Sequence, residues 1–407
     1  MTERVWLTLL GYRRFLLNSD KAQKIEFMTT TPQTQFVQVD ITAAPKRMTR
    51  ISTSFTTRCN LRCVYCPEGS HPESFYGDMS SELLQHIIAY AKVNGVHIDI
   101  SYYGDSTFHQ RFGEYAAAIH EAGVGLAITS NFARVLRDEE IAAVARCKTV
   151  SFSFETDDRE SARAIRKGLD LRTLVYNILR VRAYCLKAAI PVPPFTLHAV
   201  LNDKTVHDLP NLVAFAASMG VSYVGCNELA EIEGSRGNMV NIAALRGEEL
   251  AKAIASIDEA AVLSHRLGVP LSFTSEQILR IQAAAKGTLN EHAVREERKG
   301  IQGTYYFNGG DEALDLKPGM TRACVEPWVG PIVDPKGDVY SCCARGTVMG
   351  VVGPDGSLAD VHNNESFRAL RRALLTGQDL DLDCRRCHIA SQTSPPELQQ
   401  RVIELFT

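Results

Sequence analysis

The cysteines constrain this chain most. It has eleven in 407 residues, and eight of them fall into two groups either side of a long cysteine-poor middle: Cys59, Cys63 and Cys66, then Cys324, Cys342, Cys343, Cys384 and Cys387. Small secreted scaffolds spread their cysteines through short chains, whereas clusters like these in a chain of this length point to metal. The apolar stretch Val5 to Leu10 follows Glu3 and runs into Arg13 and Arg14. It shows no cleavage pattern and no apolar run of roughly 18 residues. The expectation is a cytoplasmic protein without a membrane span, in which Trp6, Leu9, Leu10, Phe15 and Leu16 form a short amphipathic segment packed on the main domain.

A length of 407 residues exceeds the roughly 250–300 at which single cores stop growing, so a barrel-sized domain with a smaller companion is expected. A net charge of −3 gives no reason to expect nucleic acid or another polyanion as partner. From Arg50 onward, β-rich runs at Arg50–Phe55, His97–Tyr103, Gly125–Thr129, Thr149–Phe154, Pro194–Leu201 and Val221–Cys226 alternate with helical patterns at Ser80–Val93, Phe112–Ala122, Asp138–Arg146, Leu171–Ala188 and Val206–Met219. Such alternation builds a parallel sheet with helices outside, here a six-stranded partial barrel of the α/β class. The expected divisions are an N-terminal extension (1–46), the barrel (47–275), a polar connector (276–320) and a small C-terminal unit of hairpin plus helix (321–407).

Cys59-Asn-Leu-Arg-Cys63-Val-Tyr65-Cys66 directly follows the first predicted strand, and loops after barrel strands are where active sites sit. Three thiolates hold three irons of a cubane and leave the fourth open, whereas a structural zinc site wants four closed ligands, here from a distant His or Cys. This C-x3-C-x2-C motif, with an aromatic before its last cysteine, resembles the signature of the radical S-adenosylmethionine (SAM) superfamily. The resemblance implies a [4Fe–4S] cluster on Cys59, Cys63 and Cys66 whose open iron is chelated by SAM, which is cleaved to a 5′-deoxyadenosyl radical.

Further segments extend the resemblance. Tyr102-Tyr103-Gly104-Asp105 looks like the family's Gly-Gly-Glu-Pro segment, with Asp105 in the place of the Glu that receives the SAM amino group. Ile128-Thr129-Ser130-Asn131 resembles its Thr-Asn-Gly turn, and Val150 to Glu155 its Ser-containing fourth strand, followed by Arg166. Tyr65, Asp105, Ser130, Ser153 and Arg166 are thereby implied SAM contacts, Ser153 and Arg166 for the carboxylate.

In the C-terminal region, Val333-Asp-Pro-Lys-Gly337-Asp-Val-Tyr-Ser-Cys342 reads as a hairpin, and Ser366–Leu375 as a helix leading to Cys384-Arg-Arg-Cys387. Cys324, Cys342, Cys384 and Cys387 make a closed site suited to zinc or a fully ligated [4Fe–4S] cluster. The pattern resembles the SPASM/twitch extension of radical SAM enzymes, which implies one auxiliary cluster used for electron transfer.

The fate of the substrate radical defines the reaction. Epimerisation needs a hydrogen donor, for which Cys226 is placed at the end of the sixth predicted strand; dehydrogenation needs a base, with Glu155, Asp157, His198 and Glu228 near strand ends. Many enzymes of this type modify ribosomal peptides through an added domain ahead of the barrel. The first strand already begins at Arg50, and Tyr102, Tyr103, Phe108 and His109 suit a sugar ring. The expected substrate is therefore a sugar-like small molecule or glycan attacked at a carbinol carbon, with a peptide as the alternative. A non-catalytic iron–sulfur or zinc scaffold is the reading from another class. The expected electron donor is a flavodoxin or ferredoxin.

Overall fold

The structure is a computed structural model, and it describes residues 40–45, 48–66, 75–229, 239–273, 275–287, 316–343, 346–353, 356–385, 387 and 390–406. The amphipathic N-terminal segment and most of the polar connector lie outside these residues. Residues 41–407 cluster as one compact unit.

The barrel half runs β1 (Arg50–Thr53), β2 (Arg62–Cys63), α1 (Ser81–Asn94), β3 (His97–Ile100), α2 (Phe112–Glu121), β4 (Leu126–Ser130), α3 (Asp138–Val144), β5 (Thr149–Ser153), α4 (Arg159–Ile165), β6 (Arg166–Lys167), α5 (Leu171–Ala188), β7 (Phe195–Leu201), α6 (Leu209–Ser218), β8 (Tyr223–Glu228), α7 (Gly247–Leu267), β9 (Leu271–Phe273) and α8 (Ser275–Ala285). Strands β1, β3, β4, β5, β7, β8 and β9 pair in parallel in that order. The fold is thus the expected open parallel barrel, with one strand more than the six read from sequence. β9 has only three residues, too few to show a periodicity. α8 lies inside the stretch read as connector.

Alternation sets the two faces of the sheet. Leu197, Ala199 and Leu201 of β7 are buried towards the helices, while Thr196, His198 and Val200 are half-buried on the inner face. The helices end where the sequence says they should: Ser80 caps α1 by accepting from the Leu83 amide, and Asp170 caps α5 by accepting from the Arg172 amide.

The C-terminal half comprises β10 (Thr321–Arg322), α9 (Glu326–Val329), β11 (Ile332–Val333), β12 (Asp338–Tyr340), β13 (Gly350–Val351), α10 (Leu358–His362), α11 (Glu365–Thr376), α12 (Leu382–Arg385), β14 (Gln392–Thr393) and α13 (Pro395–Ile403). The expected hairpin forms as β11 and β12, and β11 pairs in parallel with β1, so the C-terminal unit continues the barrel sheet. Buried Trp328 completes the seam by donating from Nε1 to the Ile41 carbonyl at 2.7 Å.

Candidate active site

The cysteine loop leaves β1 at the C-terminal rim. Its middle is not free: Arg62 and Cys63 pair antiparallel with Lys167 and Arg166, and the Val64 amide donates to the Ile165 carbonyl at 2.9 Å. Gly104 (φ 62°) backs the loop's entry, since a Cβ there would fall 2.5 Å from the Arg58 carbonyl oxygen. The backbone approach therefore requires glycine. Cys59, Cys63 and Cys66 are half-buried thiols, none of them in a disulfide. Burial pushes the Cys63 thiol up to about 11, with Arg166 opposing and the neighbouring Cys66 adding to the rise. The Leu61 amide and Asn131 Nδ2 donate to Cys59 Sγ at 3.4 and 3.5 Å. Such N–H to sulfur bonds tune the potential of an iron–sulfur cluster. Among the described residues no three His, Cys, Asp or Glu side chains close tightly on a single metal ion; a cubane, whose thiolates ligate different irons, asks for a wider ring. The donor set fits the cluster.

Glu155 is corrected from base to anchor. It is wholly buried, and Arg166 donates to it through Nε at 2.8 Å and Nη2 at 2.6 Å. Tyr65 Oη donates to the same carboxylate at 2.8 Å, and the Arg166 guanidinium lies 5.5 Å from the Tyr65 ring centre. A buried carboxylate in a bidentate pair is placed to hold the guanidinium. Burial opposes the Arg166 charge, but Glu155 and Tyr65 more than restore it, so this guanidinium stays protonated. The cysteine loop, the end of β5 and Arg166 are tied into one unit.

Asp105 is likewise satisfied by its own chain. It accepts from the Thr107 amide (3.0 Å), Thr107 Oγ1 (2.6 Å), Ser130 Oγ (3.0 Å) and the Asn131 amide (2.8 Å). These bonds occupy about the four lone-pair positions a carboxylate offers, so Asp105 and Ser130 knit β3 to β4 instead of presenting free acceptors. Asn131, which lies in the segment quoted from sequence but was not picked as a site residue, is the side chain of this turn that reaches the cysteine loop. It donates to Cys59 and to Asn60 Oδ1 at 3.0 Å. The next residue, Phe132, is left-handed (φ 46°), an uncommon conformation for a bulky side chain.

The barrel interior is polar. Ser52, Asp99, Thr129, Ser153, Thr196 and His198 share the inner face and are half-buried. A Cβ on Gly225 would lie 3.0 Å from His198 Nδ1, so glycine there makes room for the imidazole. Burial lowers the His198 pKa, with Asp99 opposing, which leaves a neutral ring at pH 7. Cys226 is corrected: it alternates with lumen-facing Gly225, pairs with buried Ala199 and is 2% exposed in the hydrophobic core. A thiol on the helix side of the sheet cannot deliver hydrogen into the barrel. Asp157 is exposed beyond β5. Glu228 ends β8, and its side chain lies outside the described residues.

In the C-terminal half, Cys324, Cys342, Cys384 and Cys387 are all half-buried thiols outside any disulfide, whereas Cys343 is exposed. Burial pushes the Cys324 thiol up, and the nearby Cys342 and Cys387 thiols push it further. Arg322, which drew no attention in the sequence, is 2% exposed and clamps the C-x2-C turn, donating to the carbonyls of Cys384 (3.1 Å), Ala390 (3.2 Å) and Arg385.

The comparisons with known proteins agree with this geometry. The profile of the radical SAM superfamily matches residues 53–216, and that of an iron–sulfur cluster-binding domain, SPASM, matches residues 324–388. No curated protein matches the sequence. Among solved structures, Streptococcus suis SuiB bound to precursor peptide SuiA is 15% identical, with a TM-score of 0.56 over 94% of this chain and 82% of that one. Native anSMEcpe with bound AdoMet and Cp18Cys peptide is 13% identical, with a TM-score of 0.54 over 88% and 96%. No helix among the described residues is long and apolar enough to cross a membrane. With both cysteine groups, both profiles and the barrel in agreement, this chain belongs to the radical SAM superfamily and carries a C-terminal SPASM domain, with SAM and two [4Fe–4S] clusters as its cofactors.

Proposed function

We propose that the chain is a peptide-modifying radical SAM maturase that removes hydrogen from a residue of a polypeptide substrate. The observation that carries this reading is the polar, half-buried barrel interior beside the cysteine loop, in a fold similar to those of SuiB bound to precursor peptide SuiA and anSMEcpe bound to Cp18Cys peptide. The sugar reading has lost its main support. Tyr102 and Tyr103 are not an open platform for a sugar ring: their rings pack on each other at 4.2 Å, on Phe75 at 5.2 Å and on Tyr340 of the C-terminal hairpin at 6.1 Å. Epimerisation through Cys226 has lost its donor.

When bound, SAM and the cluster of Cys59, Cys63 and Cys66 supply the radical that takes a hydrogen atom, and the cluster of Cys324, Cys342, Cys384 and Cys387 supplies an electron acceptor. This chain's residues do the rest. Arg166, held by Glu155, and Ser153 at the end of β5 hold the SAM carboxylate. Asn131 and the Leu61 amide orient Cys59. His198, neutral at pH 7, takes the proton that a dehydrogenation releases. A reduced carrier protein supplies electrons, and the setting is cytoplasmic.

The test is anaerobic incubation of reconstituted protein with SAM, dithionite and the short peptides encoded beside its gene, followed by mass spectrometry. The expected result is a peptide lighter by two hydrogens, with one 5′-deoxyadenosine per event. SAM cleavage coupled to a polyol, with every peptide unchanged, sinks the proposal.

A further inference from the structure

From the surface over the cysteine loop we infer a docking site for an acidic one-electron carrier protein, built on Arg62, Lys167 and Arg163. Arg62 and Lys167 are directly opposite each other in the β2–β6 pair, and both are exposed. In an antiparallel pair, directly opposed residues share one face, and like charges so placed destabilise it. Arg163 is exposed in the last turn of α4, four residues before Lys167. Among the described residues none of the three has a carboxylate partner: Arg62 donates only to the Cys59 and Leu61 carbonyls, both at 2.9 Å. Of the nearest acids in sequence, Asp158 caps α4 through the Ser161 amide at 2.8 Å and Asp170 pairs with Arg172, while Asp157 and Glu160, the latter one turn before Arg163 on α4, are exposed and offset only part of the patch's charge. The chain as a whole is slightly acidic, at −3, so the patch is not the by-product of a generally basic surface.

Its position gives the patch a use. Arg62 lies between ligands Cys59 and Cys63, and Cys63 faces Arg166 across the same pair that sets Arg62 against Lys167. A protein that contacts these cations stands directly over the cluster loop, with the Arg62 guanidinium hydrogen-bonded to a ligand's own backbone. Unpaired cations facing solvent attract an acidic partner and speed its encounter by roughly 10- to 1000-fold, an effect that salt weakens. In the transfer itself one electron leaves the reduced carrier and enters the cluster, and no bond is made or broken. The site rests on membership of the radical SAM superfamily and not on the identity of the substrate.

The experiment compares 5′-deoxyadenosine formation driven by reduced flavodoxin with that driven by dithionite, in wild type and in the double variant Arg163→Glu/Lys167→Glu. The expected result is a loss of roughly tenfold or more with flavodoxin, a weaker salt dependence of what remains, and a dithionite-driven rate and cluster EPR spectrum within about twofold of wild type. Equal losses with both reductants would show that the substitutions damage the loop, and overturn the proposal. So would an undiminished flavodoxin rate, or a defect confined to the KM for a peptide substrate, which would make the patch a substrate site.

Discussion

The two cysteine regions are built on opposite plans. At the barrel rim, three ligands within eight residues sit on a loop that is held by side chains: the Tyr65–Glu155–Arg166 unit on one flank and Asn131 on the other. In the C-terminal half the four expected ligands come from segments spread over residues 324–387, and two buried arginines bind that half together through backbone carbonyls. Arg322 grips the C-x2-C turn, and Arg371, wholly buried, donates to the Pro327, His362 and Thr42 carbonyls at 2.8, 2.8 and 3.0 Å. The rim keeps polar groups near an accessible interior, where a small cofactor and a substrate must come and go. The C-terminal half commits its polar groups to its own chain, as suits a group that stays in place.

Substitutions can break this contrast, and the largest effect is expected at the rim. Cys63→Ala should abolish 5′-deoxyadenosine formation while the auxiliary cluster stays, so iron falls from about eight to about four per chain. The same iron loss with SAM cleavage retained is expected for Arg322→Met. That change takes the guanidinium donor from three backbone carbonyls, of which that of Cys384 keeps the Cys387 amide, at about 1–3 kcal/mol for each left buried and unpaired, and iron analysis with a SAM-cleavage assay separates the two cases.

Glu155→Gln strips the buried Arg166 of its countercharge, which costs about 3–5 kcal/mol when one partner of a buried pair is removed. It should weaken SAM binding and shrink the SAM-induced change in the reduced cluster's EPR spectrum. A pure base role for Glu155 would instead leave SAM binding intact and lower only turnover. A smaller effect is expected at the seam between the two halves, where His362 Nδ1 meets Tyr90 Oη at 2.9 Å and Nε2 meets the Pro327 carbonyl at 3.0 Å. Burial, then Arg371, lowers the His362 pKa to about 3. Between that value and the usual one near 6.5 the unfolded chain binds a proton that the folded chain refuses. Stability therefore falls as pH drops below about 6.5, by up to about 1.4 kcal/mol per unit from this residue. Denaturant melts of His362→Gln across that range should show a shallower slope. The smallest effect belongs to Cys226→Ala, which should cost about 1 kcal/mol of packing and leave the product's deuterium content unchanged in heavy water.

Much of this was legible in the sequence because the signals were local. The cysteine loop and the Pro-Lys-Gly hairpin each fit within about ten residues and the β/α alternation is read one element at a time, and the strands and helices formed where they were read. The failures share a cause as well. Glu155 and Asp105 were read as free acceptors because their partners Arg166, Tyr65, Ser130 and Asn131 lie from 11 to 90 positions away. Cys226 was placed at a strand end correctly, but which face it takes depends on the register with Ala199 and Gly225, and a one-residue difference in register reverses the face. Arg322 carries no sequence signal at all, and Arg371, one of the Arg pair in the predicted Ser366–Leu375 helix, gives no sign of its partners, since both residues bind carbonyls that every residue has.

The most direct test of the two-plan account is EPR of the anaerobically reconstituted Cys59→Ala/Cys63→Ala/Cys66→Ala variant beside wild type, each reduced with and without SAM. The account requires two cluster signals in wild type, one of which shifts on SAM addition, and a single SAM-insensitive signal in the variant with about four irons per chain. A variant that loses both signals, or whose remaining signal still responds to SAM, would contradict it.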